Sequence, residues 1–298
     1  MELDFVDWLR DRLPTSPRVR IGIGDDAALI ELGGSELVTT ADLLIDGVHF
    51  LSAEHEPERI GRKALAVNLS DLAAMACRPA GAVVSLSLPR DGVAGHTVRE
   101  LAAKLIEGML PLAEAFDCPI VGGDTNVGPG PLTLAVTAFG TPTKCGVVRR
   151  DGAHPGDAIL VTGRLGGSLA AHHLDFLPRV TEALQLHATA TLHAMMDLSD
   201  GLSLDLARLA KASGVGAIID ESALPLSEHA ASSAAALSDG EDFELLLTLA
   251  ASEADRLLEQ SPLACGLTRI GEIIAGDAVQ LRDAEGKLAP LVPRGYEH

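Results

Sequence analysis

Two stretches decide the fold prediction, IGIGDDAALI at residues 21–30 and ELVTTADLLI at residues 36–45. Both are rich in Ile, Leu, Val or Thr, which is typical of β-strands. Each apolar run breaks at aspartate: Asp25 and Asp26 follow IGIG, and Asp42 follows ELVTTA. The sequence therefore predicts strands that carry carboxylates at their ends.

The same arrangement recurs along the chain. Asp124 follows PIVGG, and Asp197 and Asp200 follow an Ala-Met-Met stretch and precede Gly201. Asp71 lies in an otherwise apolar helical pattern. Each aspartate alone is typical of a turn or a helix N-cap. Together they favour a shared site, because clustered carboxylates repel one another unless cations neutralise them.

Magnesium suits such a set of oxygen ligands, since it bridges carboxylates to substrate phosphates. The sequence shows no His/Cys cluster, which disfavours zinc or iron. His154, His172 and His173 show no partner pattern and are predicted to be structural. His49, in DGVHF, is either an ordinary half-buried histidine or a ligand contact.

Helical and strand patterns alternate along the first half of the chain. The apolar spacing predicts helices over residues 57–78 and 96–116, with strands over 80–89 and 131–140. An opening helix is predicted over residues 2–13. This order of elements indicates an α+β arrangement in the first half.

The polar segment RRDGAHPGD at residues 149–157 is typical of a domain junction. Strand and helix patterns alternate again after it. The chain is therefore predicted to be an α/β protein with an α+β N-terminal domain over residues 1–143 and an α/β C-terminal domain over 144–298. A length of 298 residues also favours two domains.

Composition excludes several classes of protein. Hydrophobic residues make up 47% of the chain and charged residues 22%, the balance of an ordinary globular protein. The net charge of −19 argues against a nucleic-acid partner. No apolar run is long enough for a membrane span, and no signal peptide is indicated. The four cysteines form no CxxC pair, which favours reduced thiols in the cytoplasm.

Three glycine-rich segments supply turns in which backbone N–H groups can approach an anion: VGGDTN at 121–126, TGRLGGS at 162–168 and DLSDGL at 197–202. Neither a P-loop nor a Rossmann motif is present. Arg149 and Arg150 are candidates for neutralising a transferred phosphate, or alternatively a pair of surface arginines.

The order of motifs resembles a known family. The blocks are GIGDDAAL, TADLLIDGVHF, KALAVNLSDLAAM, IVGGDTN, RRDGAHPGD, DLSDGLSLDL and SDGEDFEL. In this order they resemble the thiamine-monophosphate kinases of the aminoimidazole ribonucleotide synthetase-like superfamily. The resemblance implies the two-domain fold of the aminoimidazole ribonucleotide synthetase-like superfamily. It also implies transfer of the ATP γ-phosphoryl group to thiamine monophosphate. It also implies a homodimer, with metal, ATP and the dimer contact in the N-terminal domain and substrate in the C-terminal domain.

The resemblance also implies site residues. Several Mg²⁺ ions would be held by Asp26, Thr40, the Ala41 carbonyl, Asp42, Asp71, Asp124, Asp197 and Asp200. ATP would contact Gly123, Asp124, Arg150 and Ser199. Thiamine monophosphate would contact His49, Glu241 and Tyr296. The catalytic set would be Asp42, Asp124, Arg150 and Asp200.

Two alternatives stay open. The first is another ATP-dependent enzyme of the superfamily, such as the purine-pathway synthetase. Selenophosphate synthetase and the hydrogenase-maturation protein are disfavoured, because the first cysteine is Cys77 and the chain ends in Tyr-Glu-His. The second is a non-catalytic acidic protein that sequesters divalent cations or nucleotides, which would not need all of these blocks together.

Overall fold

The first half of the chain forms one mixed sheet. The computed structural model describes residues 6, 8–10, 12–13, 16–260 and 263–296. The strands of this sheet are β1 (Val19–Ile21), β2 (Ala28–Glu31), β3 (Glu36–Ile45), β4 (Arg78–Pro89), β5 (Ile120–Gly128) and β6 (Thr133–Thr141). Their order is β1-β2-β3-β6-β4-β5, antiparallel throughout except for the parallel pair β4 and β5. Strand β5 is therefore an edge strand.

Two long helices cover one face of this sheet, α1 (Pro57–Ala74) and α2 (Val98–Ala115). Both agree with the predicted helices. A capping box begins α2, in which the Thr97 hydroxyl accepts from the Glu100 backbone N–H at 3.3 Å and the Glu100 carboxylate accepts from the Thr97 N–H at 2.9 Å. Of the predicted opening helix over 2–13, the structure describes residues 6, 8–10, 12 and 13, and all of these except Leu13 are helical.

The second half forms a sheet in the order β13-β12-β9-β11-β7-β10-β8. Its strands are β7 (Asp157–Thr162), β8 (Ala194–Asp197), β9 (Gly216–Asp220), β10 (Leu245–Ala250), β11 (Leu267–Ile274), β12 (Val279–Arg282) and β13 (Leu288–Pro290). Its helices are α3 (Ser168–Ala171), α4 (Val180–Thr189), α5 (Leu202–Ser213), α6 (Ser233–Ser238) and α7 (Ala251–Gln260). The chain thus has the predicted α/β class, while the boundary after residue 143 stays a prediction.

Helix α1 is the element that both halves share. It packs on α2, β3 and β6 of the first half and on α4 and β8 of the second. Nearly every residue from Ile60 to Ala74 is buried, including Lys63. Because α1 is buried on nearly all sides, the apolar residues of both sheets form one continuous core through it. None of the described helices is both long and apolar enough to cross a membrane.

Helices α1 and α2 approach closely at two glycines. A methyl group on Gly61 would lie 1.9 Å from the carbonyl oxygen of Leu105, and one on Gly108 would lie 1.8 Å from that of Glu58. Each glycine therefore gives space to the backbone of the opposite helix. This contact fixes the position of α1 and hence of the side chains that it presents to the site.

Gly61→Ala tests this contact. In an ordinary helix the change stabilises by about 0.5–1 kcal/mol, but here the methyl group must push the helices apart. We expect chemical denaturation to show a loss of about 1–3 kcal/mol in the free energy of unfolding. Gly130→Ala, where an added Cβ meets no atom within 4 Å, is the control and should change little. Equal midpoints for both variants would refute the close contact.

Candidate active site

Three carboxylates from separate segments meet beside α1. Asp26 precedes β2, Asp71 lies on α1, and Asp197 ends β8. One oxygen from each lies within 4.8 Å of the other two. Asp197 is buried, and the Asp26 side chain is only 4% exposed. The fold therefore assembles part of the predicted aspartate set into an acidic cluster, defined here as Asp26, Asp71 and Asp197.

Strand β3 adds Asp42 and Thr40 to the edge of the acidic cluster. The Thr40 hydroxyl donates to the Asp71 carboxylate, and Asp42 lies close enough to Asp71 for the two carboxyl groups to influence each other's pKa. The prediction that Asp42 lies at a strand end was wrong: β3 continues through it to Ile45, because β6 pairs with β3 along that length. Ala41 points to the opposite face by strand alternation, so only its carbonyl remains a candidate ligand.

Water exclusion and mutual repulsion shift the titration of these carboxyls. Burial raises the pKa of Asp71 well above its usual value, and the charges of Asp42, Asp197 and Asp26 add to the effect. Burial also raises the pKa of Asp197 well above its usual value, and the charge of Asp26 is the next largest cause. The Ser70 hydroxyl, which donates to Asp197 at 2.5 Å, lowers this pKa in part. Burial raises the pKa of Asp42 to about 6. The ionised cluster is therefore costly without a cation.

The oxygen atoms of this site fit a hard divalent cation. Asp26 Oδ2 and Asp42 Oδ2 are buried and accept no hydrogen bond from the described residues. Buried carboxylate oxygens without donors are costly, and a metal ion would satisfy them. The possible metal ligands in and next to the cluster are carboxylate oxygens and a hydroxyl oxygen, the ligand type that Mg²⁺ prefers.

Arg150 is the protein's own cation at this site. Its Nη2 donates to Asp26 Oδ1 at 2.6 Å, and its Nε lies 3.6 Å from Asp25 Oδ1. Burial opposes the charge of Arg150, but the two aspartates outweigh it and its pKa rises above the usual value. Arg149 instead pairs with Asp151. Tertiary structure thus separates the two arginines, and only Arg150 reaches the acidic cluster.

The turn at Ser199 and Asp200 lies beside the acidic cluster rather than inside it. The Asp200 carboxylate pairs with Arg208, whereas Asp205 Oδ2 accepts from the backbone N–H groups of Asp200 and Gly201 at 3.0 and 3.1 Å. Burial raises the pKa of Asp205 to about 7, with Asp200 contributing. These contacts hold the turn that begins α5. Neither Asp205 nor Arg208 was predicted from the sequence.

A cleft of about 510 Å³ opens from Asp42 toward the second half of the chain. It is lined by Asp42, His49, Lys63, Ser199, Asp200, Glu241, Phe243 and Tyr296, among others. The cleft therefore brings together the three residues predicted for thiamine phosphate, His49, Glu241 and Tyr296. It also places Ser199 and Asp200 on the same wall as Glu241, whose N–H donates to the Ser199 carbonyl at 2.7 Å.

Lys63 is a charged residue of the cleft that was not predicted from the sequence. It is 1% exposed, and its Nζ donates to the Glu241 carboxylate and, at 2.9 Å, to the His49 carbonyl. Burial lowers the pKa of Lys63, with Glu241 opposing the shift. Burial alone would raise the pKa of Glu241, yet His173 and Lys63 hold it below the usual value. A single lysine inside the apolar block KALAVNL was the available signal.

His49 and Tyr296 are positioned by backbone contacts. His49 Nδ1 accepts from the Ile45 N–H at 3.1 Å, so the neutral ring carries its proton on Nε2. The Tyr296 N–H donates to the Asp200 carbonyl at 3.0 Å. The Ser203 hydroxyl donates to the Arg294 carbonyl at 2.8 Å, which returns the last described residues to the cleft. His173, which the sequence predicts to be structural, has a partner in the cleft, since its Nδ1 lies 3.4 Å from the Glu241 carboxylate.

Asp124 does not join the acidic cluster within one chain. It lies inside exposed strand β5 rather than after a strand. Its direct partner on β4 is Ser85, and the same row continues through Ala135 on β6 to Leu43 on β3. That position is three strands from β3, about 14 Å, and on the face opposite to Asp42. Asp124 instead accepts from Asn126 Nδ2 at 2.8 Å. At neighbouring Gly123, an added Cβ would lie 1.7 Å from the Val84 carbonyl oxygen.

The raised carboxyl pKa values give a test with a defined sign. The pKa of Asp42 is 3.8 in the unfolded chain and about 6 in the folded protein. Between these two pH values the folded state therefore binds more protons than the unfolded state. The metal-free protein should therefore lose stability as the pH rises through this interval and beyond it for Asp71. Mg²⁺ should restore stability at pH 8 (thermal unfolding). In Asp71→Asn both the pH-dependent loss and the Mg²⁺ effect should shrink.

Exposed Asp277→Asn serves as the matched control for the same loss of one charge. It should respond to pH and Mg²⁺ as the unmodified chain does. If Asp71→Asn and Asp277→Asn gave the same Mg²⁺-dependent shift in Tm, the acidic cluster would not be the metal site.

Comparison with known families covers nearly the whole chain. The family model for the N-terminal domain of AIR synthase related proteins matches residues 24–141, and that for the C-terminal domain matches residues 154–284. The proposed domain boundary falls between the two matches. The chain is 39% identical to a thiamine-monophosphate kinase of Rhodopirellula baltica, over all of this chain and 97% of the relative.

Solved structures agree with this relationship. The complex of AaThiL with AMPPCP and TMP superposes with a TM-score of 0.83 at 30% identity, covering 100% of this chain and 96% of that one. The thiamine-monophosphate kinase of Stenotrophomonas maltophilia K279a gives a TM-score of 0.75 at 37% identity, with 96% of each chain covered. The chain has the two AIR synthase related domains and belongs to the thiamine-monophosphate kinase family.

Proposed function

We propose that the chain transfers the γ-phosphoryl group of ATP to thiamine monophosphate and releases thiamine diphosphate and ADP. The cleft is the observation that carries this proposal, because it joins Asp42 and Asp200 to His49, Glu241 and Tyr296. A related chain has been solved with TMP and AMPPCP, an ATP analogue. A donor and an acceptor that both bear phosphate would meet between the acidic cluster and the cleft.

Mg²⁺ is the proposed metal, in several copies, held by Asp26, Thr40, Asp42, Asp71, Asp197 and, from the cleft wall, Asp200. The buried oxygens of Asp26 and Asp42 that lack donors support this assignment. When bound, the ions supply positive charge that screens ATP from the acidic site and from the second phosphate. The net charge of −19 is therefore compatible with a phosphate-rich substrate.

Arg150 is proposed to serve the nucleotide side of the reaction. Its guanidinium lies against Asp26 and can exchange a carboxylate contact for a phosphate oxygen, since both accept the same planar donor pair. Ser199 offers a hydroxyl on the cleft wall. The backbone N–H groups near Gly123, on edge strand β5, are further candidates for contacts with the phosphates.

The acceptor side needs positioning more than proton removal. The phosphate of thiamine monophosphate is largely ionised at neutral pH, so catalysis rests on alignment and charge screening. The neutral His49 ring can donate a hydrogen bond from its Nε2–H, and Lys63 fixes the Glu241 carboxylate by an ion pair. Tyr296 is 45% exposed at the mouth of the cleft, where its ring can pack on the thiamine rings. The contact between Lys63 and Glu241 supports Lys63 as a proposed positioning residue for Glu241.

A homodimer would complete this site. The sheet face opposite α1 exposes Ala41, Leu43 and Ser85, and edge strand β5 exposes Val121 and Asp124. An apolar face next to an unpaired strand edge favours pairing with another chain. Since Asp124 is remote from the acidic cluster of its own chain, we expect it to serve the cluster of the second copy. The cytoplasmic location stays a prediction from the sequence.

The rival functions make different demands on the cleft. A purine-pathway synthetase would accept an aminoimidazole precursor, and a sequestering protein would bind nucleotide without releasing ADP. The family relationship disfavours both. Lys63, buried and directed at Glu241, also belongs to a shaped substrate cleft rather than to a surface that only collects cations.

An ADP-release assay with Mg²⁺ and ATP separates these functions. We expect release that depends on thiamine monophosphate, with little release for free thiamine or aminoimidazole precursors. Asp42→Asn should lower turnover by roughly 100-fold or more, because charge stabilisation of the transferred group is lost. ADP release that ignores the acceptor, or none under any condition, would reject the kinase assignment.

Mixing two inactive variants tests the shared site. If Asp124 acts across the dimer, a heterodimer of Asp71→Asn and Asp124→Asn has one intact site and one doubly altered site. After subunit exchange of equal amounts, we expect about one quarter of normal activity, since half of the dimers are mixed. Asp71→Asn mixed with Asp42→Asn is the control and should stay inactive. No recovery despite proven exchange would place Asp124 in its own chain's site.

A further inference from the structure

A second group of metal-ligating side chains lies at the far end of β8 from the acidic cluster. His154 and Asp157 come from the segment that enters β7, and His193 directly precedes β8. One ligand atom from each lies within 4.8 Å of the other two. His193 and Asp197 are four residues apart on one strand, about 13 Å, so the two clusters are separate. No local pattern indicates this group, because His193 lies 36 residues after Asp157 along the chain.

The ligand atoms have spacings suited to a tetrahedral metal. His193 Nδ1 lies 2.8 and 2.9 Å from the two Asp157 oxygens and 3.5 Å from His154 Nδ1. With bonds of about 2.0–2.1 Å, two ligands of a tetrahedral zinc ion lie about 3.3 Å apart. The two imidazole rings meet edge to face, with centroids 4.9 Å apart. Small side-chain rotations would therefore direct both nitrogens and a carboxylate oxygen at one point.

The backbone around this group is already ordered. The His154 N–H donates to Asp157 Oδ2 at 2.8 Å, and the Asp157 N–H donates to the His154 carbonyl at 3.0 Å. The His193 N–H donates to the Thr248 carbonyl at 2.8 Å. An added Cβ on Gly152 would lie 2.1 Å from the His193 carbonyl oxygen, so the two segments are in close contact. Metal binding would need little main-chain reorganisation.

Solvent access and ligand type define the ion. Asp157 is 3% exposed, whereas His154 is exposed and His193 half-buried, so the group opens to solvent on its histidine side. Two imidazoles and one carboxylate favour zinc or a similar first-row transition metal over Mg²⁺, which prefers oxygen ligands. We infer that His154, Asp157 and His193 form a transition-metal site that takes Zn²⁺, with water as the fourth ligand.

Such an ion would fasten the segment between the two halves of the chain. Arg150, four residues before His154, reaches the acidic cluster, and the Met195 N–H of β8 donates to the Arg149 carbonyl at 3.1 Å. A metal bound by His154 and Asp157 on one side and His193 on the other would cross-link this segment to β8. The expected effect of this cross-link is on stability, so its readout is metal binding and Tm rather than turnover.

The experiment uses Zn²⁺ and Co²⁺ as probes on the full chain, with excess Mg²⁺ present so that the acidic cluster is occupied. We expect one Zn²⁺ per chain by calorimetry and visible absorption bands of tetrahedral Co²⁺. Tm should rise by roughly 5 °C at a hundredfold excess of free Zn²⁺ over its dissociation constant. His154→Gln and His193→Gln should each lower Zn²⁺ affinity at least tenfold and abolish the Co²⁺ bands.

His229→Gln, which removes a histidine elsewhere on the surface, is the matched control and should bind as the unmodified chain does. Because His154 is exposed, His154→Gln keeps the test valid even if His193→Gln does not fold. Zn²⁺ affinity and Co²⁺ bands that are equal in His154→Gln and His229→Gln would overturn the site. So would the absence of any Tm rise with Zn²⁺, which would leave His193 and Asp157 as an ion pair only.

Discussion

Electrostatic repulsion within the acidic cluster is the constraint on which the rest of this structure depends. Asp26, Asp71 and Asp197 come from a loop, a helix and a strand, and the fold brings their oxygens within 4.8 Å. Such an arrangement costs free energy unless packing elsewhere outweighs it. Helix α1 supplies that packing, because it is buried between both sheets and its glycine contact with α2 sets its depth.

The same repulsion connects stability with chemistry. Arg150 offsets part of the negative charge, and the buried oxygens without donors leave a place for cations. The proposed binding of Mg²⁺ and phosphate follows from the same feature, since the carboxylates that would act as ligands are already gathered and desolvated. A strongly acidic chain is thus compatible with an enzyme of small phosphate esters.

Strand β3 divides two roles between its two faces. Thr40 and Asp42 point toward α1 and the acidic cluster, whereas Ala41 and Leu43 point to the uncovered face. Alternation of side chains along one strand therefore links the acidic cluster to the proposed contact with a second copy. Asp124 shares the second face, which explains why it is absent from the cluster of its own chain.

The sequence by itself determined the fold class, the main helices and strands and the reaction family, because motif order and apolar periodicity are local properties. The roles of the site residues that it names stay a prediction. Only the tertiary structure decided which side chains meet. Arg150 contacts the acidic cluster whereas Arg149 does not, and Asp42 lies inside a strand. Buried Lys63 contacts Glu241, and Asp124 lies far from the acidic cluster of its own chain. The tertiary structure also joined His154, Asp157 and His193. These outcomes depend on strand register and helix packing between segments far apart in sequence, which no local pattern encodes.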